Sequence, residues 1–167
     1  MTEFNPITTL TINDQEVEAK VVFAFDRKAE KFSKETTDNE GKKVTTPGFN
    51  MIFNGLLESK TSSIVDFWEC ATAYLNKNAP TREQIESAIE KVIEEKGDTL
   101  QLLQGGLDKL NNSGFFKRES RQYWVTMNKA PGMAKAEDKE SMKFGIEMLK
   151  ENYKDIMGEE PYTITQK

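Results

Sequence analysis

The chain has 167 residues, with 23 Lys and Arg against 28 Asp and Glu for a net charge of −5, no histidine and a single cysteine. That inventory excludes a Ser-His-Asp triad, an imidazole general base, a His-based zinc site, an internal disulfide and a thiolate metal cluster. The acidic balance argues against a surface that wraps nucleic acid, and the length suits one domain that buries its core without metal or disulfides.

The opening residues Met1 to Pro6 carry neither the basic nor the apolar region of a signal peptide, and no apolar run reaches the roughly 20 residues of a membrane span. The expectation is a protein of a reducing cytoplasm with no membrane contact. Residues 7–23 read as a β-hairpin. Thr8, Leu10 and Ile12 share one face, Asn13-Asp14 make the turn, and Val17, Ala19, Val21 and Phe23 alternate with polar neighbours. Phe25, Ala29 and Phe32 then recur at helical spacing. Residues 33–47 contain one large apolar side chain, Val44, among many turn formers, which predicts a mobile surface loop.

Four helical stripes follow. Phe49, Ile52, Phe53, Leu56 and Leu57 form the first, and Ile64, Phe67, Trp68, Ala71, Tyr74 and Leu75 the second. Thr81-Arg-Glu-Gln84 is a capping box ahead of Ile85, Ala88, Ile89, Val92 and Ile93, and Gly97 ends that helix. Asp98 caps a fourth helix with Leu100, Leu103, Leu107 and Leu110, in which Gly105-Gly106 marks a kink or a close backbone approach. Ala130-Pro131-Gly132 predicts a break, after which Met142, Ile146, Leu149, Tyr153 and Ile156 make a heptad-like stripe that either docks on the bundle or pairs with a second copy. Gly158 to Lys167 reads as a tail. The predicted fold is α+β and predominantly α. An N-terminal β-hairpin packs on a helical bundle over residues 1–130, and a C-terminal helical extension covers 131–167.

Catalytic chemistry finds little support. The acidic pairs Asp66 with Glu69, Glu94 with Glu95, Glu137 with Asp138 and Glu159 with Glu160 fall on polar helix faces or at chain ends beside Lys or Arg. Cys70 has no histidine to activate it and lies at the edge of an apolar stripe. No phosphate-loop spacing occurs. The reading is of no catalytic, cofactor-binding or metal-binding residue.

The most informative segment is Phe115-Phe116-Lys117-Arg118, followed by Arg121, Tyr123 and Trp124. Residues 114–129 carry a net charge of +3 inside an acidic chain. Three roles fit, in falling order: aromatics that complete the core beneath outward cations, a protein interface, and a nucleic-acid surface. Neighbouring positions on a helix lie about 100° apart, so Tyr123 and Trp124 are expected not to face inward together.

The order of the segments carries a resemblance. Leu10-Thr-Ile-Asn-Asp-Gln-Glu-Val17 comes first, then Val21-Val-Phe23-Ala-Phe25-Asp-Arg-Lys28, Leu56-Leu57-Glu58, Ile64-Val-Asp-Phe-Trp68, Pro80-Thr-Arg-Glu-Gln-Ile85 and Leu107-Asp-Lys-Leu-Asn-Asn-Ser-Gly114-Phe115-Phe116-Lys117. Over about residues 7–118 this resembles the tail assembly chaperones of long-tailed bacteriophages of Gram-positive bacteria. The resemblance implies a non-enzymatic protein of the host cell cytoplasm that binds the tape measure protein and helps recruit tail tube subunits, and the stripe from Met142 to Ile156 adds self-association as an expectation. Phe115, Phe116, Lys117, Arg118, Arg121, Tyr123 and Trp124 are then the expected partner-binding residues. A competing reading is a small helical nucleic-acid-binding regulator with a helix-turn-helix within 64–112, against which the row of glutamates from Glu83 to Glu95 argues.

Overall fold

The computed structural model describes residues 3–163. It is α+β and predominantly α, with two small antiparallel hairpins in the N-terminal third. Strands β1 (Thr9–Ile12) and β2 (Gln15–Glu18) pair with Leu10 opposite Val17. Asn13 and Asp14 between them both have positive φ, 52° and 63°, the backbone that a two-residue hairpin turn requires. Leu10, Ile12, Ala19 and Val21 turn inward as the alternation predicts. The hairpin is pinned to the bundle by hydrogen bonds from Lys20 N–H to the Ala71 carbonyl (2.9 Å) and from the Tyr74 hydroxyl to the Glu18 carbonyl (2.8 Å). Phe23 is not its last strand residue. It opens helix α1 (Phe23–Ala29) and stays exposed, while Phe25 and Ala29 enter the core.

Residues 33–47, expected to be a loop, instead form a second hairpin of strands β3 (Lys34–Thr37) and β4 (Lys43–Thr46), with Thr36 opposite Val44. Its turn is held by the Asp38 carboxylate, which accepts from the Glu40 and Lys42 amides at 2.9 and 2.8 Å, and by Gly41 at φ 81°. Neither face of this hairpin is covered. The paired threonines favour extended backbone, but no apolar face was there to betray it.

The helices follow the stripes, except that the second ends at Ala71 and its Tyr74 and Leu75 lie in a separate 3-10 turn, Ala73–Asn78. They are α2 (Gly48–Leu57), α3 (Thr61–Ala71), α4 (Arg82–Lys96), α5 (Leu100–Asn112), α6 (Lys117–Met133) and α7 (Ala136–Met157). The capping box of α4 is present in both directions, and Gly97 at φ 71° closes it with its N–H on the Ile93 carbonyl. Asp98 accepts from the Thr99 and Leu100 amides at the start of α5. Arg82 joins α4 to α3 by bonding both Asp66 (2.9 Å) and Glu69 (3.0 Å), and Lys31 reaches Glu69 at 2.7 Å.

One boundary differs from the sequence reading. Pro131 sits in the last turn of α6, so that helix runs through Ala130-Pro131-Gly132 and ends at Met133. The limit placed at 130/131 therefore falls inside a helix. The second half of α7 docks on the bundle: Tyr153, Ile156 and Met157 belong to the same core as Trp124 and Leu107. One core spans both segments.

Candidate partner-binding surface

Helix α6 presents the residues that the sequence singled out, and it divides them. Phe116, Tyr123 and Trp124 go into the core. Phe116 stacks on Phe49 at 4.7 Å between ring centres, Tyr123 meets Phe53 edge-on at 4.8 Å, and Trp124 meets Tyr153 edge-on at 5.6 Å. The expectation that Tyr123 and Trp124 face different ways fails, since they are 6% and 1% exposed. Helix α6 has neighbours on two sides, Phe53 of α2 towards the bundle and Tyr153 of α7 across it. An arc wider than 100° is thereby covered, and adjacent side chains are buried together. Phe115 is half-buried, wedged edge-on between Phe23 and Phe116 at 4.8 Å from each.

Polar groups fix these rings. The Tyr123 hydroxyl donates to Asn54 Oδ1 at 3.0 Å, and Asn111 donates from Nδ2 to the Tyr153 hydroxyl at 2.8 Å while its Oδ1 accepts from Ser120. Burial raises the Tyr123 phenol well above its ordinary range, with the Glu58 charge adding to it. Burial, joined by Glu159, pushes Tyr153 up to about 12. Both are neutral donors and acceptors at any physiological pH. Cys70 is fully buried, and burial, followed by the Glu69 and Asp66 charges, pushes its thiol up to about 12. It is packing, not a nucleophile.

Lys117, Arg118 and Arg121 point outward. With Val125, Lys129 and Tyr162 they line an open groove of about 530 Å³ along α6. The Arg121 guanidinium lies 5.1 Å from the centre of the Tyr162 ring. Glu119, the one acid of the segment, is on another face beside Asn50 and Met127. Burial raises its pKa, and the Asp26 charge adds to that. Val125, Lys129 and Tyr162 were not singled out from the sequence. The i, i+4 spacing of Arg121, Val125 and Lys129 was the available signal for two of them, and Tyr162 had none.

Exposed apolar side chains occur elsewhere as well. Val22 and Phe23 stand at the start of α1, and Phe144 and Met148 lie one turn apart on the first half of α7. Among the described residues, no group of three or more His, Cys, Asp or Glu side chains is placed to hold a metal ion, and no helix is long and apolar enough to cross a membrane.

The molecule is thus a helical body with an N-terminal hairpin and a cationic groove along α6. Residues 9–123 match the family model described as phage tail assembly chaperone protein, TAC, and the chain belongs to that family. No curated protein and no solved structure matches it. The matched region runs from the first residue of β1 to Tyr123 in α6, so it holds Lys117, Arg118 and Arg121 and stops before Val125, Lys129 and Tyr162.

Proposed function

We propose that this tail assembly chaperone is non-enzymatic, binds the phage tape measure protein and helps recruit tail tube subunits in the cytoplasm of an infected Gram-positive cell. The observation that carries this reading is the family match over residues 9–123, which takes in both hairpins and the helices through the first half of α6. A tape measure protein is rich in long amphipathic helices, whose apolar faces aggregate until something covers them. Exposed aromatic and methionine side chains on a stable body, together with outward-facing cations, are the chemistry that such a client needs.

The test is co-expression with the tape measure and tail tube proteins of the same phage. The tape measure protein is expected to stay in solution and to co-purify with this chain, and the tube protein to join that complex. A tape measure protein that precipitates equally with and without the chain overturns the reading. Self-association belongs to the same proposal and is read by light scattering, where a strict monomer at high micromolar concentration removes it.

A further inference from the structure

We infer that the groove along α6 is the docking site for an acidic helix of a tail protein partner, held by Lys117, Arg118, Arg121 and Lys129. This deepens the proposed function and rests on it for the identity of the partner. Lys31, Arg82 and Lys109 are spent on Glu69, Asp66 and Glu18, whereas the four groove cations form no ion pair among the described residues and stand together along one helix, in a stretch of net charge +3 over residues 114–129. Among the described residues no carboxylate lines the groove. Lys117 and Arg118 also occupy the first turn of α6, where the positive end of the helix dipole disfavours cations and a stabilising sequence would place acids. Lys117 and Arg118 are thus held where a cation lowers stability, and an anionic partner removes that penalty.

The geometry suits a helix. From Lys117 to Lys129 the charges run along about 18 Å of α6, a length that carboxylates repeating every three or four residues on a second helix would match. Val125 and the Tyr162 ring give the groove an apolar strip for the residues between those carboxylates. Nucleic acid fits less well. The aromatics that would stack on bases, Phe116, Tyr123 and Trp124, are inside the core. The rest of the chain is more acidic than its overall −5 and repels a phosphate backbone.

The probe is a dye-labelled synthetic helix with glutamates at i, i+4 spacing on one face and leucines beside them, titrated with the full chain by fluorescence anisotropy. Arg118→Glu/Arg121→Glu is expected to weaken binding by about tenfold or more, rising NaCl to weaken binding to the unaltered chain, and Lys77→Glu/Lys91→Glu to leave it unchanged. Should the arginine pair fail to fold, Lys117→Glu/Lys129→Glu is read in its place. Equal affinity across the variants overturns the inference, and so does tighter binding of a mixed-sequence oligonucleotide than of the acidic helix. Co-purification separates this from the broader reading. If the charge-reversed chain retains tape measure and tube proteins as well as the unaltered chain does, the groove falls and the chaperone reading stands. If the unaltered chain retains neither, the chaperone reading falls, and the labelled helix alone decides the groove.

Discussion

Gly105 and Ile7 touch backbone to backbone: a Cβ placed on Gly105 would lie 1.8 Å from the Ile7 carbonyl oxygen. The segment before β1 runs along α5 at this point, with the Ile7 N–H on the Gln101 carbonyl at 2.9 Å and the Asn5 N–H on Gln104 Oε1 at 2.9 Å. Gly105→Ala is therefore expected to destabilise by about 2–3 kcal/mol, despite alanine's higher helix propensity. Gly106→Ala meets no backbone, only side chains, with the Leu56 methyls at 3.0 and 3.5 Å and Phe67 Cγ at 3.6 Å, and should stay within about 1 kcal/mol of the original. Urea midpoints of the two variants make the comparison.

Trp124→Ala should behave as a core truncation. The indole is almost fully buried between Phe53, Tyr123 and Tyr153, so the loss is expected at about 3–5 kcal/mol. A thermal melt reads it, and a variant that melts like the original while losing a tail protein partner would place the indole at an interface instead.

Acid should act through Glu69. Burial raises its pKa, but the hydrogen bonds and charges of Lys31 and Arg82 outweigh that and hold it below its ordinary 4.5. A carboxyl lowered on folding contributes stability that is complete above 4.5 and is lost as pH falls through the folded value. Asp66 opposes it in part, since burial raises its pKa against the pull of Arg82. Glu69→Gln should therefore be less stable than the original at neutral pH and converge towards it as pH falls below 4.5 through the folded value, as followed by urea midpoints across an acid series.

The β3–β4 hairpin should exchange its amides quickly in spite of its ladder. All but Thr46 of its strand residues are exposed, and an uncovered two-stranded hairpin is marginal in water. Hydrogen exchange should show these amides far ahead of those in α2 and α3. Protection equal to that of the helices would mean that a partner or a second copy covers it.

Cys70 should resist a thiol reagent such as dithionitrobenzoate in the native protein and react at once in denaturant. With its thiol pushed up to about 12 by burial, almost no thiolate exists near neutrality, and no path reaches the sulfur.

The helical stripes were legible because each helix buries one face, and the spacing from Phe49 to Leu57 or from Ile85 to Ile89 states that face directly. The caps at Thr81 and Gly97 were legible because they are local chemistry. The β3–β4 hairpin was not, since its threonines and lysines meet solvent on both sides and leave no alternation to read. The candidate site was half legible. The outward cations Lys117, Arg118 and Arg121 followed from charge, but the inward fate of both Tyr123 and Trp124 depends on α7 lying across α6, and that is a tertiary fact which no window of sequence contains.

Gln104 on α5 is fully buried, and its side-chain amide donates to the Glu3 carbonyl and to the Ile156 carbonyl, each at 2.8 Å. One side chain thus ties together positions 153 residues apart. Loss of the end of α7 would therefore take from the core around α5 a hydrogen-bond acceptor as well as its apolar cover, and an amide kept in apolar surroundings without its acceptor carries a desolvation cost of about 1–3 kcal/mol.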